Sequence, residues 1–118
     1  MASLLKLETS TESSYVKWVS KQGYEAIKVN KRGWPDRLTV LDYGYSFYIE
    51  FKREGKVDKF GKRKGEKMQK FRHDELRKRG IHVYLVDDIF AAKEILNYEL
   101  AWSKKLSTIF KSFREYKL

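Results

Sequence analysis

The stretch 33–52 constrains the fold of this chain more than any other. It contains two β-rich runs, 37–42 and 47–52, separated by a four-residue turn that includes Gly44. Runs of this kind on either side of a short turn with glycine predict an antiparallel β-hairpin. A hairpin fixes which residues face each other across two strands, so the rest of the chain must pack around it.

The second strand of this hairpin has a strict alternation of side chains. Phe47, Ile49 and Phe51 share one face, and we expect them to enter the core. Glu50 and Lys52 share the opposite face, roughly 6 to 7 Å apart along the strand. An acid and a base so placed on a strand are ordinarily no more than a solvated surface pair.

A second carboxylate near this pair favours a functional role over a solvated surface pair. Asp36 follows the only proline of the chain and leads into the first strand of the hairpin. Two carboxylates and a nearby backbone carbonyl are hard oxygen ligands that suit Mg²⁺ or Mn²⁺. Lys52 beside them could orient an attacking water or neutralise charge that develops on phosphorus. The hairpin therefore suggests metal-dependent hydrolysis of a phosphodiester.

The charge of the chain points to the same class of substrate. It has 118 residues, with 26 Lys and Arg against 16 Asp and Glu, a formal charge of +10. A positive surface of this size attracts nucleic acid, because binding releases the counterions condensed on the polyanion. No uninterrupted apolar run approaches the roughly 20 residues that span a bilayer. We expect a single intracellular domain, 1–118, and no membrane partner.

The sequence argues against cysteine or histidine chemistry as the source of catalysis. The absence of Cys removes disulfides, thiolate zinc sites and cysteine nucleophiles. The only two histidines lack metal-ligand spacing. His73 is predicted on a helix surface, and His82 on a strand near its edge.

Periodicity and turn residues predict the order α-β-β-β-α-β-α-α, an α/β fold in which helices flank a mixed β-sheet. Besides the hairpin, the predicted elements are a helix at 11–22, a strand at 24–29, a basic loop at 53–67, a helix at 66–79, a strand at 81–86, a helix at 89–97 and an amphipathic helix at 99–115. The strand at 81–86 follows a helix, which favours a parallel neighbour. Asp87 or Asp88 is expected to cap the helix that comes next.

The last predicted helix has an apolar stripe with two possible partners. The stripe consists of Trp102, Leu106, Ile109, Phe110 and Phe113. It could pack on its own domain, whose core is predicted over about 8–97, or form a dimer interface, and periodicity does not separate the two.

The motif order resembles a known nuclease family. Pro35-Asp36, thirteen intervening residues and then Glu-Phe-Lys at 50–52 resemble the PD-(D/E)XK signature of restriction-endonuclease-like nucleases. More narrowly, GWPDRL at 33–38, YIEFK at 48–52, Gln69 on a helix and Gly80 before VYLV at 83–86 resemble the VRR-NUC family. The likeness extends over about 12–96, and it implies a restriction-endonuclease-like core.

The resemblance assigns roles residue by residue. Asp36 and Glu50 match the metal-binding carboxylates, and the backbone carbonyl of Phe51 would complete the protein ligands. Lys52 matches the catalytic lysine. Gln69, which by position alone would be a solvated helix residue, matches a glutamine that family members bring to the active site.

Glu12 has two interpretations. It lies in the first turn of the predicted first helix, where the helix dipole favours a carboxylate. The resemblance instead matches it to an acidic residue that reaches the metal, a role for which Glu8, one turn earlier, is also available.

The resemblance also implies a substrate and an assembly. Stand-alone VRR-NUC members are small proteins of bacteriophages and bacteria, similar to homodimeric Holliday-junction resolvases. We therefore expect a Mg²⁺- or Mn²⁺-dependent endonuclease for branched DNA, a homodimer, in the cytoplasm of a bacterium or of a phage-infected host. The basic residues predicted to contact DNA phosphates are Lys31, Arg32, Arg53, Lys56, Lys62, Arg63 and Lys64. The alternatives are a non-catalytic nucleic-acid binding module and a nuclease for flaps, single strands or RNA.

Overall fold

A computed structural model of the protein describes residues 8–53, 64–109 and 111–112. The elements are α1 (Glu8–Lys21), β1 (Glu25–Lys28), β2 (Arg37–Val40), β3 (Ser46–Phe51), α2 (Lys64–Lys78), β4 (Val83–Val86) and α3 (Ile89–Lys105). The strands form one sheet in the order β1-β2-β3-β4, antiparallel except for the parallel pair of β3 and β4. The predicted mixed sheet with flanking helices is confirmed, as is the parallel neighbour of β4.

The hairpin of β2 and β3 has the expected antiparallel pairing, with Arg37 opposite Ile49. Its turn is tight: Tyr43 and Gly44 both have positive φ, at 63° and 72°. Positive φ at two successive residues matches the right-handed twist of the strands that the turn joins. The amide of Leu41 donates to the carbonyl of Tyr45 at 2.8 Å and closes the loop.

The core lies between the sheet and the pair of helices α1 and α3. Phe47, Ile49 and Phe51 are at most 1% exposed, as their alternation predicts, and they pack with Tyr15 of α1 and Leu96 of α3. Full burial of an apolar side chain of this size contributes about 1.5 to 3 kcal/mol. This packing fixes the face of β3, and it directs Glu50 and Lys52 to the other side of the sheet.

Helix α2 covers that other side and contacts β4. Its Leu76 is 6% exposed, and His73 is fully buried. The prediction that His73 lies on the helix surface is wrong. Burial of the ring follows from the position of α2, which presses this face of the helix against the sheet.

One edge of the sheet is formed by β4 and the other by β1, and Arg77 of α2 closes part of the β4 edge. The guanidinium donates to the backbone carbonyl of Val83 through Nε at 3.2 Å and Nη2 at 2.8 Å. A main-chain acceptor that a neighbouring strand would otherwise take is thus bound by a side chain.

Helix α3 corrects the C-terminal part of the prediction. One continuous helix replaces the two predicted at 89–97 and 99–115, and a turn at Leu106 precedes further helical residues at 107–109 and 111–112. Neither Gly nor Pro interrupts 97–105, so nothing in that stretch breaks the helix. Asp88 caps its N-terminus as predicted, accepting from the amide of Ala91 at 2.8 Å.

Only part of the apolar stripe lies within the described residues. Trp102 is 39% exposed and Ile109 is 56% exposed, while Phe110 and Phe113 lie outside the described residues. Among the helices of the described ranges, none combines the length and apolar character needed to cross a bilayer.

A buried carboxylate ties α3 to the sheet. Glu99 is fully buried and accepts hydrogen bonds from the hydroxyls of Tyr45 and Tyr84, and His82 Nδ1 lies 2.6 Å from its Oε1. Burial, followed by the hydrogen bond to Glu99, raises the pKa of both tyrosines well above the ordinary value, so both remain hydroxyl donors. Each polar group here satisfies another, as a buried charge requires.

Candidate active site

Three predicted site residues meet where β3 ends against α2. Lys52 Nζ donates to Gln69 Oε1 at 2.9 Å, and Gln69 Nε2 donates to Glu50 Oε2 at 3.2 Å. The ammonium of Lys52 is also 3.5 Å from Glu50 Oε2. Since a lysine only donates and a carboxylate only accepts, these partners determine which end of the Gln69 amide faces which group.

Burial gives this cluster a higher desolvation cost than a surface ion pair has. Glu50 is 3% exposed, and the Lys52 side chain is 13% exposed. A carboxylate taken out of water is costly unless a cation and hydrogen bonds compensate it. Lys52 provides the cation and Gln69 provides a hydrogen bond. Glu50 and Lys52 therefore form an enclosed charged group and not the solvated surface pair that is usual on a strand.

Asp36 joins the cluster across the hairpin. Continuing the pairing of Arg37 with Ile49 by one residue places Asp36 opposite Glu50. Directly opposite residues have Cβ atoms roughly 5 Å apart on one face. The amide of Phe51 donates to Asp36 Oδ2 at 2.8 Å, which orients the carboxylate toward the end of β3. The structure thus brings together Asp36, Glu50, Lys52 and Gln69.

This donor set fits Mg²⁺ or Mn²⁺. Two carboxylates on adjacent strands, with the Phe51 carbonyl between Glu50 and Lys52 in sequence, supply only oxygen ligands. Mg²⁺ is commonly held by one or two carboxylates and keeps several waters. Within the described part of the chain, no three side chains of His, Cys, Asp or Glu form a metal-binding group. A site here would therefore rest on two carboxylates.

Glu12 has cationic neighbours. Its Oε2 accepts from Arg37 Nε at 2.7 Å and lies 3.9 Å from Lys28 Nζ. Arg37 also donates to the carbonyl of Ala26 at 3.2 Å, so it joins α1 to the sheet. These contacts give Glu12 a structural role, and its assignment as a third metal ligand stays a prediction.

His73 lies near the site, which the sequence did not predict. Its burial, with further contributions from the positive charges of Arg77 and Lys52, lowers the pKa of His73 from 6.5 to about 4. The imidazole is therefore neutral at neutral pH and adds no charge to the cluster. Its spacing was the available signal, because His73 is four residues after Gln69 and so lies on the same face of α2.

The structure describes only some of the residues predicted to contact DNA. Lys31, Arg32 and Arg53 are exposed, and Lys31 Nζ lies 5.5 Å from the ring centroid of Trp34. Lys56, Lys62 and Arg63 lie outside the described residues, and Lys64 is described only as the first residue of α2. Arg72, which the prediction did not include, has its guanidinium carbon 5.0 Å from the same ring.

Comparison with known proteins addresses the fold. A solved structure titled VRR_NUC domain superposes on this chain with a TM-score of 0.60 at 22% sequence identity, covering 76% of this chain and 94% of that domain. The chain has the VRR_NUC fold. No family model matches the sequence, and no curated protein matches it. The resemblance expected from the motif order is thus confirmed at the level of the fold.

The VRR_NUC fold explains how distant residues reach one site. The hairpin carries Asp36 and Glu50 on neighbouring strands, while α2 crosses the same face of the sheet and delivers Gln69. Helix α1 lies on the opposite face with the core, where it contacts β1 and β3. The candidate site therefore lies where the end of the hairpin meets α2.

Proposed function

We propose that this chain is a Mg²⁺- or Mn²⁺-dependent endonuclease that hydrolyses phosphodiester bonds in DNA. The observation that carries the proposal is the buried cluster of Glu50, Gln69 and Lys52, with Asp36 facing it across the hairpin. A module that only bound DNA would gain nothing from two carboxylates beside its phosphate contacts. The likeness in fold to a solved structure titled VRR_NUC domain supports the same conclusion.

Asp36, Glu50 and the carbonyl of Phe51 are the groups that would hold the metal. A metal bound there supplies a Lewis acid for a phosphate oxygen and lowers the pKa of its water. The Asp36 carboxylate is already oriented by the amide of Phe51, so it need not reorganise when the site fills.

Lys52 is the cation available to the reacting phosphate. Its ammonium donates to Gln69 and lies 3.5 Å from Glu50 Oε2 in the structure. As a compact point charge it would contact a phosphate oxygen or the attacking water once DNA binds, and its charge offsets the charge that develops on phosphorus. Gln69 positions Lys52 and Glu50 relative to each other.

Branched DNA is the substrate that we propose, as for the stand-alone VRR-NUC members that the sequence resembles and that are similar to Holliday-junction resolvases. We propose a homodimer that makes paired incisions. The formal charge of +10 supports a polyanionic substrate. Exposed Lys31 and Arg32 lie on the loop that leads into Asp36, where contacts to phosphates would position a strand without reading its sequence.

An assay with labelled DNA tests the proposal. The protein is incubated with four-way junctions, flaps, single strands and plain duplex, each with Mg²⁺, with Mn²⁺ and with EDTA. We expect metal-dependent cleavage that favours the branched substrates. The Lys52→Ala variant should cleave about 100- to 1,000-fold more slowly, which is the usual cost of losing one group that stabilises the transition state.

Lys78→Ala is the matched control, because the Lys78 side chain is 75% exposed at the far end of α2. It should cleave at the rate of the unmodified protein. Equal rates for Lys52→Ala and the unmodified protein, or no metal-dependent cleavage of any substrate, would refute the proposal. Salt-sensitive binding without cleavage would instead identify a non-catalytic binding module.

A further inference from the structure

A groove lined in part by an exposed aromatic ring lies beside the candidate site. It has a volume of about 390 Å³, within the roughly 300 to 1,000 Å³ of small-ligand sites. Its lining residues are Arg32, Gly33, Lys67, Met68, Phe71 and Arg72. Phe71 is 62% exposed and Met68 is 38% exposed. The helix therefore presents apolar surface to solvent on this side.

The residues that line the groove are close in sequence to residues of the candidate site. Gly33 on one wall precedes Asp36 by three residues, and Met68 on the other precedes Gln69 directly. The walls approach closely at Gly33, where a Cβ atom would lie 3.7 Å from Met68 Cβ. A strand whose phosphate reaches the cluster at Asp36 and Gln69 would therefore pass the groove.

The charges around the groove are positive. Arg32 and Lys67 line it and are exposed, and Arg72 lies over the ring of Trp34 at 5.0 Å. Exposed aromatic surface with cations on both sides is the arrangement that binds single-stranded nucleic acid, where bases stack on rings and phosphates contact the cations. A second copy of the chain would bring like charges together, which disfavours it as the occupant.

We propose that this groove holds an unpaired nucleotide of the DNA substrate, with its base stacked on Phe71 and its flanking phosphates on Arg32 and Lys67. The proposal rests on the proposed nuclease function, and within branched DNA it favours flaps and other substrates with unpaired nucleotides next to the cleaved bond over a fully paired four-way junction. A fully paired duplex keeps its base faces stacked inside the helix, so Phe71 has no base face to contact there.

Binding measured without cleavage tests this proposal. Fluorescence anisotropy in EDTA compares labelled oligothymidylate with a blunt duplex, for the full chain and its variants. Phe71→Ala should weaken binding of oligothymidylate about 5- to 150-fold, the range found for loss of one stacked base, and leave duplex binding within about twofold. Phe71→Leu, which keeps apolar surface without a ring, should be weakened too, whereas Phe71→Tyr should bind normally.

Phe90→Ala is the matched control, since Phe90 is an exposed phenylalanine of α3, 73% exposed, outside the groove. Normal binding by Phe71→Ala, or an equal loss for single strand and duplex, would overturn the proposal. A change in sedimentation of Phe71→Ala without added DNA would overturn it too, because it would make the groove an interface between copies. Cleavage by the unmodified protein is scored separately, so the groove and the nuclease proposal can fail independently.

Discussion

The buried imidazole of His73 predicts how the stability of the fold depends on pH. The folded pKa is about 4, against 6.5 for an exposed histidine. Between these values the unfolded chain binds a proton that the folded chain does not, so stability is highest above pH 6.5 and falls as the pH falls toward 4. A difference of about 2.5 pH units corresponds to about 3 kcal/mol, of which about 2 kcal/mol is lost by pH 5.

Urea unfolding followed by circular dichroism at pH 7 and pH 5 measures this loss. The His73→Gln variant keeps a hydrogen-bonding side chain of similar size but has no proton to take up. It should therefore lose about 2 kcal/mol less than the unmodified protein over the same interval. Carboxylates titrate in both proteins. The difference between the two losses of stability therefore measures the contribution of His73 alone.

Two results would refute this reasoning. One is an equal loss of stability in the unmodified protein and in His73→Gln. The other needs no variant: an NMR titration of the folded protein that gives His73 a pKa near 6.5 would show that the ring is not buried as described. The expected titration midpoint lies below pH 5.

Further predictions concern the site and the buried glutamate. Gln69→Ala should slow cleavage at least about tenfold while the protein still binds DNA, because Lys52 loses its positioning partner; unchanged cleavage would contradict that role. Mg²⁺ at ten times its dissociation constant should stabilise the protein by about 1.4 kcal/mol in thermal unfolding, and this gain should vanish in Glu50→Gln; an equal gain in both would place the metal elsewhere. Tyr84→Phe should cost about 1 to 3 kcal/mol in urea unfolding, since it leaves the buried Glu99 one donor short. Tyr24→Phe, whose hydroxyl bonds Asp42 at an exposed site, is the matched control and should cost under about 1 kcal/mol.

The hairpin could be predicted in detail because strand alternation is local. Once Phe47, Ile49 and Phe51 are assigned to the core, Glu50 and Lys52 must share the opposite face, and the structure agrees. The pairing with β2 then brings Asp36 to the same end.

Residues of α2 show that local sequence patterns do not always predict which side chains are buried. Met68, Phe71 and Leu76 lie near one stripe in sequence, yet only Leu76 is buried, since the helix meets the sheet toward its C-terminal half. Only the family resemblance assigns Gln69 to the site, because helical periodicity alone does not tell a site residue from a solvated one. The wrong prediction for His73 has the same cause: its burial depends on how α2 crosses the sheet, which is a tertiary property.

The bidentate contact of Arg77 with Val83 has a consequence for how copies of this chain can associate. Sheets commonly extend by adding a strand at an open edge, and β4 is such an edge. Here the incoming strand would have to displace a guanidinium from the carbonyl of Val83. The same contact protects the monomer from edge-to-edge aggregation at this strand. A homodimer that forms on this side of the molecule is therefore expected to join through helix surfaces rather than through a sheet continued from β4.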